Sequence, residues 1–166
     1  MNSIDQPGKH FIEFFRVFLI RKFSLQFLRR FSFLSNASDE QHAIGKFLID
    51  MSLLDVSCID LSPSLIAASA TYIARCLLQE NLSLSFEQYW PYELQIRSPY
   101  KTFQSLSNGI QILAKCIENY LSGNSSKEYE ILMKRYEHEQ LLKASSYCVK
   151  QRIIIQKLAN VFGGEK

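Results

Sequence analysis

The 166-residue sequence lacks the residue patterns that most enzymes and metalloproteins need. Its six glycines are scattered, so it has no glycine-rich phosphate-binding motif. Neither the zinc-protease motif H-E-x-x-H nor the serine-hydrolase motif G-x-S-x-G occurs. The four cysteines include no C-x-x-C pair, and the three histidines form no cluster in sequence. The sequence therefore predicts a protein that is not an enzyme, with no catalytic, cofactor-binding or metal-binding residues.

Strong charge and long apolar runs are also missing. The net charge is only +3, and the basic residues occur in short, dispersed pairs, so we expect no binding to nucleic acid. The most apolar stretch, residues 11–20, contains Glu13 and Arg16 and is shorter than the roughly 20 residues that span a membrane. We therefore expect no membrane association and, in the absence of a binding motif, no small-molecule ligand.

The amino terminus does not resemble a secretory signal peptide. Its first ten residues contain Asp5, and no small-residue cleavage site follows. We interpret the widely spaced cysteines as reduced thiols that pack mostly as small hydrophobic side chains. These features predict an intracellular protein of the nucleus and cytoplasm.

What the sequence does contain is helical periodicity. Hydrophobic residues make up 47% of the chain, which is typical of one globular domain. The stretch Ser38-Asp39-Glu40-Gln41 matches a capping box and predicts the start of a helix. Apolar residues then recur at helical spacing, with polar residues on the opposite face. The apolar face consists of Ile44, Phe47, Leu48, Met51 and Leu54, and the opposite face of His42, Lys46 and Asp50.

The segment LSPSLIAASATYIARCLL, residues 61–78, is apolar around most of its predicted helical circumference. Ser62 can cap this helix, and Pro63 takes the first helical position, where a backbone N–H is not needed. A helix that is apolar on nearly all sides is a buried one. We therefore predict that residues 62–79 form the central helix of a bundle, with small side chains that let other helices approach.

The next two elements are also predicted to be helical. A capping box at residues 85–88 begins a short element that reaches about residue 97, and Pro91 either delays or kinks it. A long amphipathic helix follows over residues 103–121, and the sequence SGNSS ends it.

The carboxy-terminal part continues the helical pattern. Ser125 and Glu128 predict another helix start, and the apolar face of that helix continues to Gln140 and Leu141. The tail, residues 147–166, is predicted to form a last helix that ends at Gly163. Its run of isoleucines, residues 153–155, is also compatible with a strand.

The amino-terminal segment is rich in phenylalanine, with arginine and lysine at intervals, and is compatible with one or two helices. A basic amphipathic helix that lies on a membrane surface or binds a calmodulin-type protein is one alternative. Packing on the domain is the simpler interpretation. We predict partial exposure of this segment, so that Phe11, Phe14, Phe15 and Phe18 are not all buried against residues 38–121.

Several short sequence motifs, taken in order, resemble those of the C-terminal domain of cyclins, most of all the mitotic B-type group. The resemblance covers roughly residues 24–146 and depends on the order and spacing of the motifs. They are FLRRFS (27–32), GKFLIDMSLLD (45–55), PSLIAASA (63–70), Trp90 and Leu94 before Pro99-Tyr100, Lys134-Arg135-Tyr136 with an inserted arginine, and KASS (143–146).

This resemblance implies an all-α fold, a five-helix cyclin-like bundle around the central helix at residues 62–79, with extra helical segments at both ends. It divides the chain into an atypical Phe-rich segment (1–23), a C-terminal cyclin domain (24–146) and a helical tail (147–166). In the family, a preceding N-terminal cyclin box carries the main kinase contacts. Residues 1–23 do not resemble that box, so the partner-binding residues of this chain stay unknown.

The resemblance implies a regulatory subunit that binds and regulates a cyclin-dependent protein serine/threonine kinase in cell-cycle control. An alternative is a truncated or divergent cyclin-fold module that binds a partner without activating a kinase. A third possibility is a nucleic-acid-binding cyclin fold, as in general transcription factors. The small net positive charge of +3 argues against this possibility.

Overall fold

The computed structural model describes residues 7–80, 85–123 and 126–160, with side chains from residue 13 onward. Every regular element within these ranges is helical, which confirms the all-α prediction. The α-helices are α1 (Pro7–Leu34), α2 (Asp39–Ser52), α3 (Val56–Ile59), α4 (Pro63–Gln79), α5 (Phe86–Tyr89), α6 (Tyr92–Arg97), α7 (Phe103–Leu121), α8 (Lys127–Tyr136), α9 (Ala144–Lys150) and α10 (Arg152–Asn160), and a 3₁₀ helix (Glu139–Leu141) lies between α8 and α9.

Serine side chains begin the helices much as the capping patterns predict. The Ser38 hydroxyl accepts a hydrogen bond from the backbone N–H three residues later, at 3.2 Å, and starts α2. Ser62 does the same at 3.3 Å for α4, with Pro63 in the first turn. The start of α8 differs by one residue, because its N-cap is Ser126 and not the predicted Ser125.

The central helix of the bundle is α4, as predicted. It packs against α1, α2, α5, α7, α9 and α10, and every residue from 66 to 74 is buried. Small side chains permit this crowding. A Cβ atom added at Gly109 of α7 would lie 2.4 Å from the hydroxyl oxygen of Ser69 in α4. The close approach of α4 and α7 therefore depends on the absence of a side chain at Gly109.

Gly45 marks a second close approach, between α1 and α2. A glycine inside a helix costs up to about 1 kcal/mol relative to alanine. A Cβ atom at Gly45 would lie 2.7 Å from Cδ1 of Leu28. The missing side chain therefore lets Leu28 of α1 pack directly on the backbone of α2.

Pro91 separates two short helices where the sequence predicts one delayed or kinked element. It directly precedes α6, and the buried Trp90 lies between α5 and α6. The indole N–H of Trp90 donates a hydrogen bond to the carbonyl oxygen of Tyr100 at 2.9 Å. This contact anchors the chain ahead of α7.

The carboxy-terminal tail is helical and forms the end of α9 and all of the described α10, which packs on α7 and α4. The alternative of a strand at residues 153–155 is therefore wrong. The predicted helix end at Gly163 lies outside the described residues. The predicted extension of α8 to Gln140 and Leu141 is also wrong, because α8 ends at Tyr136 and these two residues lie in the 3₁₀ helix.

The amino-terminal segment forms one helix, α1, which runs through residues 23 and 24 without a break. It packs against α2 and α4. The division of the chain at residues 23–24 and 146–147 stays a prediction. Within the part of the chain that the structure covers, no helix is long and apolar enough to cross a membrane.

Candidate partner-binding surface

The interior offers no candidate catalytic centre within the described ranges. No group of three or more His, Cys, Asp or Glu side chains there is placed to hold a metal ion. All four cysteines are buried free thiols, as predicted. Burial raises the pKa of the Cys148 thiol to about 12, so this thiol is protonated and unreactive at neutral pH. Exposed apolar side chains offer a candidate binding site on the surface.

A cluster of exposed phenylalanines lies in the amino-terminal half of α1. Phe14, Phe15 and Phe18, which we call the aromatic patch, are 71%, 51% and 52% exposed. The rings of Phe15 and Phe18 contact each other, with centroids 6.5 Å apart. The predicted partial exposure is confirmed for these three residues, whereas the side chain of Phe11 lies outside the described part. Clustered exposed apolar side chains mark interaction surfaces.

The position of this patch along α1 explains its exposure. From residue 13 onward, the buried residues of α1 are Ile20, Ser24, Leu28 and Phe31, which recur every three or four positions on the side that faces α2 and α4. None of the side chains at positions 13–19 is buried. The aromatic patch therefore lies on the part of α1 that precedes its packed stripe.

The outer side of α1 becomes mixed apolar and cationic beyond the patch. A shallow groove of about 330 Å³ lies there, with walls formed by one helix. Glu13 is the single acidic residue among residues 13–34. This surface therefore combines aromatic rings with positive charge. The groove is lined by Phe18, Arg21, Lys22, Leu25, Gln26 and Arg29.

A partly buried ion pair fixes α1 next to this surface. Arg21 donates two hydrogen bonds to the carboxylate of Asp50, from Nε at 2.6 Å and from Nη2 at 3.0 Å. The Tyr136 hydroxyl donates a third at 2.8 Å. The hydrogen bond to Asp50 raises the pKa of Arg21, and burial, together with the charge of Asp50, raises the pKa of Tyr136. These bonds join α1, α2 and α8.

The position of Asp50 corrects the sequence analysis, which placed it with His42 and Lys46 on the face of α2 opposite its apolar residues. The Asp50 side chain is only 7% exposed. Its burial is tolerated because Arg21 and Tyr136 satisfy the carboxylate with charge-assisted hydrogen bonds. Those partners lie 29 and 86 positions away in sequence, so no local pattern identifies them.

A second groove, of about 390 Å³, lies between α1 and α3 at the same end of α1. Val17, Val56 and Ile59 line it, and Arg16 forms an ion pair with Asp60 at 3.3 Å. This exposed pair contributes little stability, at most about 1 kcal/mol. This groove adds a second, partly apolar concave surface beside α1.

Comparison with known proteins matches most of the chain to one domain family. The family model described as "Cyclin, C-terminal domain" matches residues 23–150. The chain is 31% identical over 127 residues to G2/mitotic-specific cyclin-B2 of Oryzias javanicus, an alignment that covers 75% of this chain and 30% of the relative. It is 27% identical over 141 residues to G2/mitotic-specific cyclin-B2 of Bos taurus, covering 84% of this chain and 33% of the relative. The chain thus spans about a third of the length of these curated relatives.

Proposed function

Since the chain belongs to the cyclin family through its C-terminal domain, we propose that it is a regulatory subunit that binds a cyclin-dependent protein serine/threonine kinase in cell-cycle control. The observation that carries this proposal is the match of the cyclin C-terminal domain to residues 23–150. Relatives of this chain are mitotic cyclins by name. A regulatory subunit activates a kinase by binding its active conformation more tightly than its inactive one.

The exposed apolar side chains of α1 support a binding role. The aromatic patch and the two grooves on α1 expose apolar side chains that a partner would bury. Burial of such side chains is the main favourable term in protein association. The proposal places the protein in the nucleus and cytoplasm, where a cell-cycle kinase acts.

A second candidate function is a cyclin-fold module that binds a partner without activating a kinase. The observation in its favour is that the aromatic patch precedes residue 23, where the match to the cyclin domain begins. A surface outside the shared domain fits a partner specific to this chain. Nucleic-acid binding stays a minor alternative, since the net charge is only +3.

A pull-down combined with a kinase assay tests these candidates. The purified chain would be mixed with each cyclin-dependent kinase of its organism and a histone-type substrate. Binding with increased phosphorylation supports the regulatory role, and binding without it supports the second function. Failure to bind any of these kinases contradicts the first proposal. Retardation of DNA at low salt would instead favour the nucleic-acid alternative.

A further inference from the structure

A row of five residues on the outer side of α1 has the spacing of a coiled-coil seam. Phe15, Phe18, Lys22, Leu25 and Arg29 are separated by three, four, three and four positions. Residues with this alternation lie in one line along a helix and form the contact row between two paired helices. We call these five residues the outer seam.

The side chains of the outer seam are at least partly exposed along its length. The rings of Phe15 and Phe18 are about half exposed, and Lys22 and Arg29 are exposed. Leu25 is partly exposed and lines the shallow groove together with Phe18, Lys22 and Arg29. A second helix laid along this groove would cover the three apolar side chains.

We infer that the outer seam of α1 pairs with a helix of a partner protein that carries apolar residues opposite Phe15, Phe18 and Leu25 and acidic residues opposite Lys22 and Arg29. This inference rests on the proposed function, because both treat the chain as a binding subunit, and it adds the chemistry of the partner segment.

The two cations require an acidic partner. Arg21 next to them is already bound to Asp50, whereas among the described residues no ion pair joins Lys22 or Arg29 to an acid. A cation that is enclosed in a helix pair without an opposite charge is costly. Glutamate or aspartate at the facing seam positions turns both cations into determinants of specificity.

A second copy of the chain fits the seam poorly. In a parallel pair, Lys22 would face Lys22 and Arg29 would face Arg29, and like charges that face each other across an interface oppose association. In an antiparallel pair the cations would face apolar positions of the other copy. The single acid of this part of α1, Glu13, is not a seam residue, so it does not compensate.

A lipid surface also fits less well. Helices that lie on membranes keep their basic residues on the polar face and bury a purely apolar one. In α1 the cations stand within the apolar row, between Phe18 and Leu25 and after Leu25. This arrangement is typical of a helix pair with specified charges.

The test measures binding of the full chain to labelled helical peptides of three heptads by fluorescence anisotropy. One peptide carries leucine opposite the apolar seam positions and glutamate opposite the cations, and it is made in both directions of its heptad order. A matched peptide has lysine in place of those glutamates. Variants of the chain are Lys22→Glu with Arg29→Glu, and, as a control of equal charge, Lys115→Glu with Lys157→Glu on exposed positions of α7 and α10.

We expect one direction of the glutamate peptide to bind at least about tenfold more tightly than the lysine peptide. The Lys22→Glu/Arg29→Glu variant should reverse that preference, and the control variant should keep it. Equal affinities, no binding, or a preference that the charge reversal leaves unchanged would overturn the inference. The inference would also be overturned if the chain self-associates and the Lys22→Glu/Arg29→Glu variant does not. Binding to phosphatidylserine vesicles in place of the peptides would overturn it as well. No kinase is present, so this outcome is independent of the kinase pull-down, and circular dichroism melting verifies that each variant is folded.

Discussion

α4 and α1 are both rich in apolar residues, yet α4 is buried on all sides along its middle and α1 exposes several of its largest side chains. α4 carries alanine and serine between its larger residues, and its residues 66–74 are all buried among six neighbouring helices. α1 carries phenylalanine on several sides but packs along one stripe, so Phe14 stays 71% exposed. Apolar content therefore does not decide burial. Small side chains allow many neighbours, whereas large ones leave an open face.

The two helices also differ in how they are held. α4 is held by close packing that begins at its Ser62 cap. α1 is additionally joined to α2 and α8, because Arg21 and Tyr136 both donate hydrogen bonds to Asp50. In the same way, α10 is joined to α7 by the hydrogen bonds from Arg152 to Glu118. The centre of the fold thus depends on shape, and the outer helices depend partly on charge.

The largest expected effect comes from removing packing in α4. Ile73→Ala should lower the free energy of unfolding by about 2–5 kcal/mol, because the side chain is fully buried and its removal leaves a cavity. Ile153→Ala, on the exposed face of α10, is the matched control and should change it by less than about 0.5 kcal/mol. Urea unfolding measures both values. Similar losses for the two variants would contradict the central position of α4.

A smaller loss is expected when the ion pair of α1 is broken. Arg21→Met keeps an unbranched side chain but leaves Asp50 with one of its three hydrogen bonds, which should cost about 1–3 kcal/mol. The same substitution at the exposed Arg30 is the control and should cost less than about 0.5 kcal/mol.

A double-mutant cycle sharpens this prediction. Tyr136→Phe removes the third hydrogen bond to Asp50, so its effect should depend on whether Arg21 is present. Purely additive losses in urea unfolding would show that the three side chains do not act as one network.

The sequence predicts the parts of this fold that local chemistry decides. Neighbouring residues in the sequence predict the helix caps at Ser38 and Ser62 and the apolar circumference of α4. They also predict the exposure of the Phe-rich segment. Asp50 and Gly45 are not, since their roles depend on Arg21 and Leu28 in another helix. The spacing of the outer seam is present in the sequence. Its exposure follows only from the side of α1 that packs on the bundle.

A pH-dependent effect is expected where α10 joins α7. Hydrogen bonds from Arg152, with smaller contributions from Gln156 and Ser122, lower the pKa of Glu118 to about 2. Between this value and the ordinary value of 4.5, the folded protein binds fewer protons than the unfolded chain. The stabilisation by ionised Glu118 is therefore fully present above its ordinary pKa of 4.5. It is lost as the pH falls toward the pKa of about 2 that Glu118 has in the folded protein.

Melting temperatures at several pH values check this sign. The difference in melting temperature between the protein and its Glu118→Gln variant should be largest near neutral pH. It should become smaller as the pH falls from about 5 to 2. In a background that carries Arg152→Met, the Glu118→Gln substitution should change the melting temperature less at neutral pH. The reason is that Arg152 is the main cause of the lowered pKa of Glu118. A difference that does not change with pH would show that the charge of Glu118 does not hold α10.

The smallest effect is expected at the outer side of α1. Replacing Phe15 and Phe18 together with serine should lower the free energy of unfolding by at most about 1 kcal/mol, since both rings are about half exposed and part of their burial is contact with each other. Phe31→Ser in the same helix is the matched control and should cost about 3–5 kcal/mol, because that ring is buried against Trp90 with centroids 5.6 Å apart. If the double variant lost as much stability as Phe31→Ser, the outer rings would be packed within the chain itself. The contrast between α1 and α4 would then fail, and the outer seam would not be available to a partner.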